Sequence, residues 1–271
     1  SLRNKSLTGK IISGKNNGGF SGDIDLWYRQ DIFYDFFLNS PCSKYAEQTL
    51  SSKVVRHFYD QTFIKPAGCH LSTPWHHDIT FWPVDLKKNN ICSIWITLDA
   101  VSKETSGLEF IKGSHLWEGY WKSYGPGNDA LVNKDHKDLP DIDSLRSKHE
   151  FFCPEMNPGD ALIFNAHIVH GSSSNLSLDK PRRAFTSRWC DDKTVFEDRA
   201  KTKPITANHN LKNGDFLSGP LFPQVRPSTL ASELSLRDKG PIKLSKSKFI
   251  KDRVFKDLAG FFSFKNLINL K

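Results

Sequence analysis

Thr73-Pro74-Trp75-His76-His77-Asp78 is the stretch on which the reading of this chain turns. On an extended strand, side chains two positions apart share a face. His76 and Asp78 therefore aim together, and His77 points away. A second piece, His170-Gly171-Ser172, supplies another imidazole, and Arg182 follows a dozen residues later. Two imidazoles and one carboxylate on a β scaffold form the ligand set that leaves half of an octahedral iron open. An arginine in that position is suited to grip the far carboxylate of a 2-oxo acid bidentately. His57, His70, His115, His136, His149, His167 and His209 are read as ordinary polar or packing histidines. Of these, His167 is the main rival to His170, but Gly171 gives the His170 imidazole the room and tight turn it needs.

The scaffold around these pieces reads as mainly β. Val54–Ile64, rich in β-branched and aromatic residues, is expected to be a strand. Further strands are expected over Pro74–Phe81, Ile91–Leu98, Leu108–Ile111, Ala161–Phe164, Ile168–His170 and Ala184–Trp189. Many short strands with turn signals argue for a sandwich or jelly roll. Ahead of them, residues 13–23 form a Gly/Asn/Ser loop, and residues 25–50 carry apolar spacings of two short amphipathic helices split by Pro41. Residues 121–149, polar and rich in Gly, Pro, Asn, Asp and Lys, read as a lid-like insertion over a pocket mouth. The expected organisation is one domain over 1–236 and a basic amphipathic extension over 237–271.

At 271 residues, with 38% hydrophobic and 12% aromatic content, the chain can bury a sizeable core. No apolar run is long enough for a transmembrane helix. The five cysteines are scattered, with no C-x-x-C pair, which argues against a disulfide framework or a zinc knuckle. With no signal-peptide pattern visible, a cytoplasmic location is expected. The net charge of +8 is concentrated in residues 237–271, where ten Lys/Arg stand against three acids. The body carries no basic stripe, so nucleic-acid binding is not expected. In the extension, Phe249, Ile250, Val254, Leu258, Phe261 and Phe262 recur at helical spacing, with lysines between them. Such a helix would pack on the body or join two copies of the chain as a homo-oligomer, the alternative being a membrane surface or an acidic partner.

Several ordered segments carry a family resemblance. They are Lys65-Pro66-Ala67-Gly68, Thr73 through Asp78, Ser93-Ile94-Trp95-Ile96-Thr97-Leu98-Asp99, Gly107–Phe110 with Gly113-Ser114-His115, Pro158-Gly159-Asp160, and His170-Gly171-Ser172 through Pro181-Arg182-Arg183. Together, over roughly residues 25–226, they resemble the phytanoyl-CoA dioxygenase-like group of iron(II)/2-oxoglutarate oxygenases. The resemblance implies a double-stranded β-helix (a jelly roll, cupin-like) with flanking α-helices, iron(II) as metal, 2-oxoglutarate as co-substrate and O2 as oxidant. It makes His76, Asp78 and His170 the iron ligands and Arg182 the partner of the distal 2-oxoglutarate carboxylate, with Arg183 facing the other way. Ser172 would bond that same carboxylate. Lys65 and Trp95 would line the co-substrate pocket, with Gln61 before Lys65 on the same strand.

The activity implied is hydroxylation of an aliphatic C–H bond of a small molecule, coupled to decarboxylation of 2-oxoglutarate to succinate and CO2. Desaturation or oxidative cyclisation would use the same start, whereas halogenation is disfavoured because Asp78 is present. Phe81, Trp82, Asn165, Arg188 and Trp189 are expected near the substrate pocket by strand position. The aromatics suit an apolar or ring-bearing substrate, and Arg188 a carboxylate. Two other classes compete: a non-catalytic jelly-roll binding protein, and a zinc hydrolase. The hydrolase lacks a general-base Glu beside the histidines and would leave Arg182, Ser172 and Lys65 without a shared purpose.

Overall fold

The computed structural model describes residues 19–124, 130–131, 136–199, 202–203, 205, 209–227 and 267–270. Helices α1 (Asp31–Asn39) and α2 (Cys42–Leu50) flank Ser40-Pro41. Ser40 is extended, at φ −71 and ψ 156, as the residue before a proline prefers to be, and α1 ends there. Phe33 and Phe37 of α1 and Cys42, Ala46 and Leu50 of α2 are the buried stripe.

Among the described residues twelve strands follow: β1 (Val55–Lys65), β2 (Thr73–His76), β3 (Ile91–Thr97), β4 (Leu108–Ile111), β5 (Ser123–Tyr124), β6 (Ala130–Leu131), β7 (Phe151–Phe152), β8 (Ala161–Asn165), β9 (His170–Ser172), β10 (Arg182–Cys190), β11 (Gln224–Arg226) and β12 (Leu267–Leu270). They form a six-stranded sheet in the order β11-β1-β10-β3-β8-β12, a four-stranded sheet in the order β2-β9-β4-β7, and the β5–β6 pair. All pairings are antiparallel except β12 with β8. The two larger sheets make the jelly roll.

Strand alternation divides the six-stranded sheet into two faces. On the outer face, Ile94, Ile96, Ala161, Ile163, Phe185 and Trp189 pack against α1 and α2. On the inner face, Trp95, Leu162, Phe164 and Ala184 meet Leu108 and Phe110 of the four-stranded sheet. The inner face also presents Lys65 and Gln61 of β1 opposite Arg182 and Thr186 of β10, with Trp95 of β3 opposite Thr186. Polar groups are thus held between apolar layers, which is where the site lies.

Two strand expectations need correction. Extended structure stops before Asp78, and a 3-10 helix takes Asp78–Phe81. The backbone turns there because Ile79 N–H donates to Ala166 O at 3.1 Å, outside any strand ladder, and Pro83 lies just beyond. The strand expected over Ile168–His170 instead runs from His170 to Ser172. Gly171 therefore sits within a strand rather than in a tight turn. A Cβ there would lie 3.0 Å from Thr73 O and 3.3 Å from a Trp75 ring carbon. The glycine permits close approach of β2 to β9, the strands that carry two of the expected ligands.

Part of the 121–149 stretch packs on the body. Ile142 is buried against Ile111 and Val169, with Trp75, Trp121, Leu139 and Leu145 around them. The amphipathic helix expected over residues 249–262, and the subunit contact assigned to it, lie outside the described residues. No helix among the described residues is long and apolar enough to cross a membrane.

Candidate active site

His76 ends β2, Asp78 opens the 3-10 helix and His170 begins β9. His76 and His170 are direct cross-strand neighbours. All three side chains are buried, and one ligand atom from each falls within 4.8 Å of the others. The imidazole centroids of His76 and His170 are 4.3 Å apart, and His76 Nε2 is 3.5 Å from Asp78 Oδ1.

Each histidine is oriented by its own backbone. His76 Nδ1 lies 2.7 Å from Pro74 O, and His170 Nδ1 lies 3.1 Å from Ile168 O. A carbonyl only accepts, so both Nδ1 atoms carry the proton and both Nε2 lone pairs face the site. This is the outer hydrogen bonding that fixes a metal-binding tautomer. Phe110 stacks beside His170 at 5.5 Å, and Phe81 stands edge-on to His76 at 5.6 Å.

Burial, followed by the neighbouring His76, lowers the His170 pKa to about 4, so its imidazole is neutral at pH 7. Burial alone would raise the Asp78 pKa, but Arg188 and the two imidazoles outweigh it and hold the carboxylate well below its ordinary range. Ser93 Oγ also donates to Asp78 Oδ2 at 3.3 Å. A neutral His170 imidazole and an ionised Asp78 carboxylate are protonation states a divalent metal requires.

His77 faces away and does not join the triad. Its Nε2 accepts from Trp121 N–H at 3.1 Å, and burial lowers its pKa to about 3.

On the facing sheet, joined to β9 through Ser172, two residues from His170, lies a second buried cluster. Lys65 and Arg182 are direct cross-strand partners on β1 and β10, 0% and 2% exposed. Lys65 Nζ donates to Ser106 Oγ, Ser172 Oγ and Ser173 O, each at 2.9 Å. Ser172 Oγ accepts from Lys65 Nζ and also lies 3.3 Å from Ser106 Oγ, whose own proton goes to Ser173 O at 2.6 Å. Arg182 stands 5.9 Å from the rings of Phe20 and Trp95, and its buried Nε has no hydrogen-bond partner. Among the described residues, neither cation has a carboxylate within ion-pair distance. Burial, then Arg182, pushes the Lys65 pKa down to about 6, and burial pushes that of Arg182 down to about 10. A buried guanidinium beside a lysine driven towards its neutral form, with no acid in ion-pair range among the described residues, is costly; the arrangement fits an anion, and specifically a carboxylate gripped by a guanidinium fork.

Arg183 faces the other way and grips Asp99 through Nε at 3.0 Å and Nη2 at 2.6 Å. Gln61 shares the inner face with Lys65 and is half-buried.

The residues expected near a substrate separate. Phe81 is at the triad. Arg188 is there too, with Nε 3.7 Å from Asp78 Oδ2. Trp82 is fully buried behind them and donates to Tyr59 Oη at 2.7 Å, so it supports the pocket rather than lining it. Trp189 and Asn165 need correction. Trp189 projects to the outer face, 6.2 Å from the Phe37 ring and 5.0 Å from that of His57, because successive strand residues alternate and Arg188 takes the inner side. Asn165 pairs with Cys92 on the outer-face register, and its Oδ1 accepts from His167 N–H at 2.8 Å to close a turn.

The sequence reading missed Ser106, Phe20 and Tyr59. Ser106 holds Lys65 from a left-handed backbone at φ 67. Phe20 covers Lys65 at 5.0 Å, and the Tyr59 ring lies 4.4 Å from the Arg188 guanidinium. Only Tyr59 left a signal, as an inward position on an expected strand.

A jelly roll with an inward two-histidine, one-carboxylate triad defines the class of non-haem iron oxygenases. Within that class, the family model described as phytanoyl-CoA dioxygenase (PhyH) matches residues 13–184, and the chain belongs to this family. A probable phytanoyl-CoA dioxygenase of Caenorhabditis elegans is 25% identical over 119 residues, 44% of this chain and 36% of that protein. Ectoine dioxygenase of Sphingopyxis alaskensis is 26% identical over 120 residues, 41% of this chain and 39% of that protein. The matched stretch thus spans well under half the length of these curated relatives. Among solved structures, the α-ketoglutarate-dependent epimerase SnoN of nogalamycin biosynthesis aligns with a TM-score of 0.61 at 20% identity, covering 82% of this chain and 83% of that one. The carbocyclase SnoK of the same biosynthesis aligns at 0.63 and 21%, covering 79% of each chain. At these identities the likeness speaks for the fold.

Proposed function

We propose that this chain is an iron(II)- and 2-oxoglutarate-dependent dioxygenase that hydroxylates an aliphatic C–H bond of a small-molecule metabolite, converting 2-oxoglutarate to succinate and CO2. The observation that carries the reading is the pairing of the buried triad with the Lys65–Arg182 pair on the facing sheet, which reaches β9 through Ser172 and has no acid in ion-pair range among the described residues. A metal alone would explain the first and leave the second without purpose.

On this reading His76, Asp78 and His170 hold the iron, and Arg182, Lys65 and the Ser172 hydroxyl receive the distal carboxylate. Iron supplies the oxygen activation and the oxidative decarboxylation when bound. The chain's own groups do the rest. The Pro74 and Ile168 carbonyls hold both imidazoles in the ligating tautomer. Trp95 and Phe20 wall the co-substrate end against water, which strengthens each charged contact there. Phe81 and Arg188 remain beside the triad on the side left for substrate.

The test is anaerobic addition of 2-oxoglutarate to the iron(II)-loaded protein, followed in the visible spectrum. A charge-transfer band that 2-oxoglutarate generates and glutarate does not is expected. Iron binding without such a band would refute the co-substrate assignment.

A further inference from the structure

Arg188 is a third buried cation on the inner face, 4% exposed. It follows Arg182 by six residues on β10, so both point inward. Its guanidinium lies 4.4 Å from the Tyr59 ring and 5.6 Å from that of Trp82. The aromatic faces hold the plane of the fork without using its N–H groups. Nε and Nη1 are buried and have no hydrogen-bond partner. Among the described residues, the one carboxylate in ion-pair range is Asp78, at 3.7 Å from Nε, too long for a hydrogen bond.

Charge counting across the inner face gives this orphaned fork a meaning. Asp78 is the single acid within ion-pair range of Lys65, Arg182 or Arg188 among the described residues. A divalent metal adds two positive charges, and a dicarboxylate co-substrate removes two. With Lys65 neutral or charged, the loaded site keeps a net positive charge, in surroundings where an uncompensated buried charge is expensive.

We propose that the primary substrate is an anion, and that Arg188 is the residue that grips its carboxylate or comparable oxyanion beside the metal. This rests on the reading of the site as an iron and 2-oxo acid centre. The substrate class narrows accordingly: a metabolite with an oxidisable aliphatic carbon one short chain away from an acidic group. Lys203 lies near the same wall, 4.4 Å from the Tyr59 ring, and is paired with Asp25 at 3.4 Å. Arg199 is likewise paired, with Glu197 at 3.4 Å, so among these described cations Arg188 is the one that stands beside the triad itself.

Wild type, Arg188→Met and Arg188→Lys are compared as anaerobic iron(II) proteins. Metal and 2-oxoglutarate titrations come first, then hexanoate and its uncharged isostere hexanamide as probes of the charge-transfer band. In wild type, hexanoate is expected to perturb the band at concentrations at least about tenfold below hexanamide, the scale of a charged hydrogen bond. Arg188→Met is expected to erase that preference and to bind metal and 2-oxoglutarate within about threefold of wild type, and Arg188→Lys to keep part of it. Three outcomes overturn the proposal. Weakened 2-oxoglutarate binding in Arg188→Met would make Arg188 a partner of the co-substrate's own C1 carboxylate. Loss of metal in both variants would make it a positioning residue for Asp78. Equal response to hexanoate and hexanamide in all three proteins would leave no anion site. A wild type with no band at all would instead sink the underlying assignment, separately from this one.

Discussion

Replacing Arg182 by Met should weaken 2-oxoglutarate binding and strengthen the empty protein at once. Arg182 is 2% exposed, faces Lys65 directly across β1 and β10, and has a buried Nε without a partner. Its desolvation is already suffered before any ligand arrives, so a bound carboxylate gains close to the full value of two charge-assisted hydrogen bonds. At about 1.5 kcal/mol each, the low end for charged pairs, the loss is about 3 kcal/mol, or roughly 100-fold in Kd. Metal affinity should hold, because the triad is built on β2, the 3-10 helix and β9 rather than on β10. Meanwhile the neighbouring Lys65 loses a like charge, so the folded state without ligand should gain stability. The assays are anaerobic 2-oxoglutarate titration of the iron(II) protein and urea unfolding of the metal-free protein. A Kd within threefold of wild type, or a parallel loss of iron, would refute the reasoning. A clear fall in stability would show that Arg182 serves the fold instead.

Other expectations follow from the same geometry. Lys65 has a folded pKa of about 6 against 10.5 for an ordinary lysine, lowered first by burial and then by Arg182. A depressed base makes the ligand-free fold gain stability as pH rises from about 6 towards 10.5. A bound dicarboxylate raises that pKa, so above about pH 6 binding takes up a proton and affinity falls with increasing pH. Calorimetry in buffers of different ionisation enthalpy reads the uptake directly, and Lys65→Met should abolish it. His170→Ala should remove iron binding while leaving the circular dichroism of the fold, and retained stoichiometric iron would break the ligand assignment. Gly171→Ala places a Cβ 3.0 Å from Thr73 O. It should cost about 1–3 kcal/mol of stability and loosen iron, read by chemical unfolding and metal titration; unchanged values would mean that β2 moves aside freely. Arg183→Ala should leave the 2-oxoglutarate Kd unchanged, since that side chain is spent on Asp99.

The triad was legible from chain order because it rests on short local rules: two imidazoles, a carboxylate two residues away, and a scaffold of strands. The two helices around Pro41 and most of the long strands were legible for the same reason, since period and punctuation are properties of neighbouring residues. Asp78 reached the site by a different route from the one inferred. It stands in a 3-10 turn pinned to Ala166 O, a contact between segments far apart in sequence. Period-two reasoning also assigned Arg182 and Arg183 to opposite faces, yet it could not say that Trp189 would belong to the helix layer, because parity alone does not tell which face of a sheet is covered by what.

The amino-acid order by itself determined the donor types, the strand and helix periods and the family signature. Those depend on covalent neighbours. Tertiary structure alone decided that Lys65, on a strand more than a hundred residues before β10, stands beside Arg182 with no acid in ion-pair range among the described residues. It alone brought Ser106 and Phe20 to that pair and left Arg188 Nε and Nη1 without a hydrogen-bond partner beside Asp78 and Tyr59. Burial, strand register and the absence of a counter-charge are sums over the whole packed chain, and no local stretch of sequence contains them.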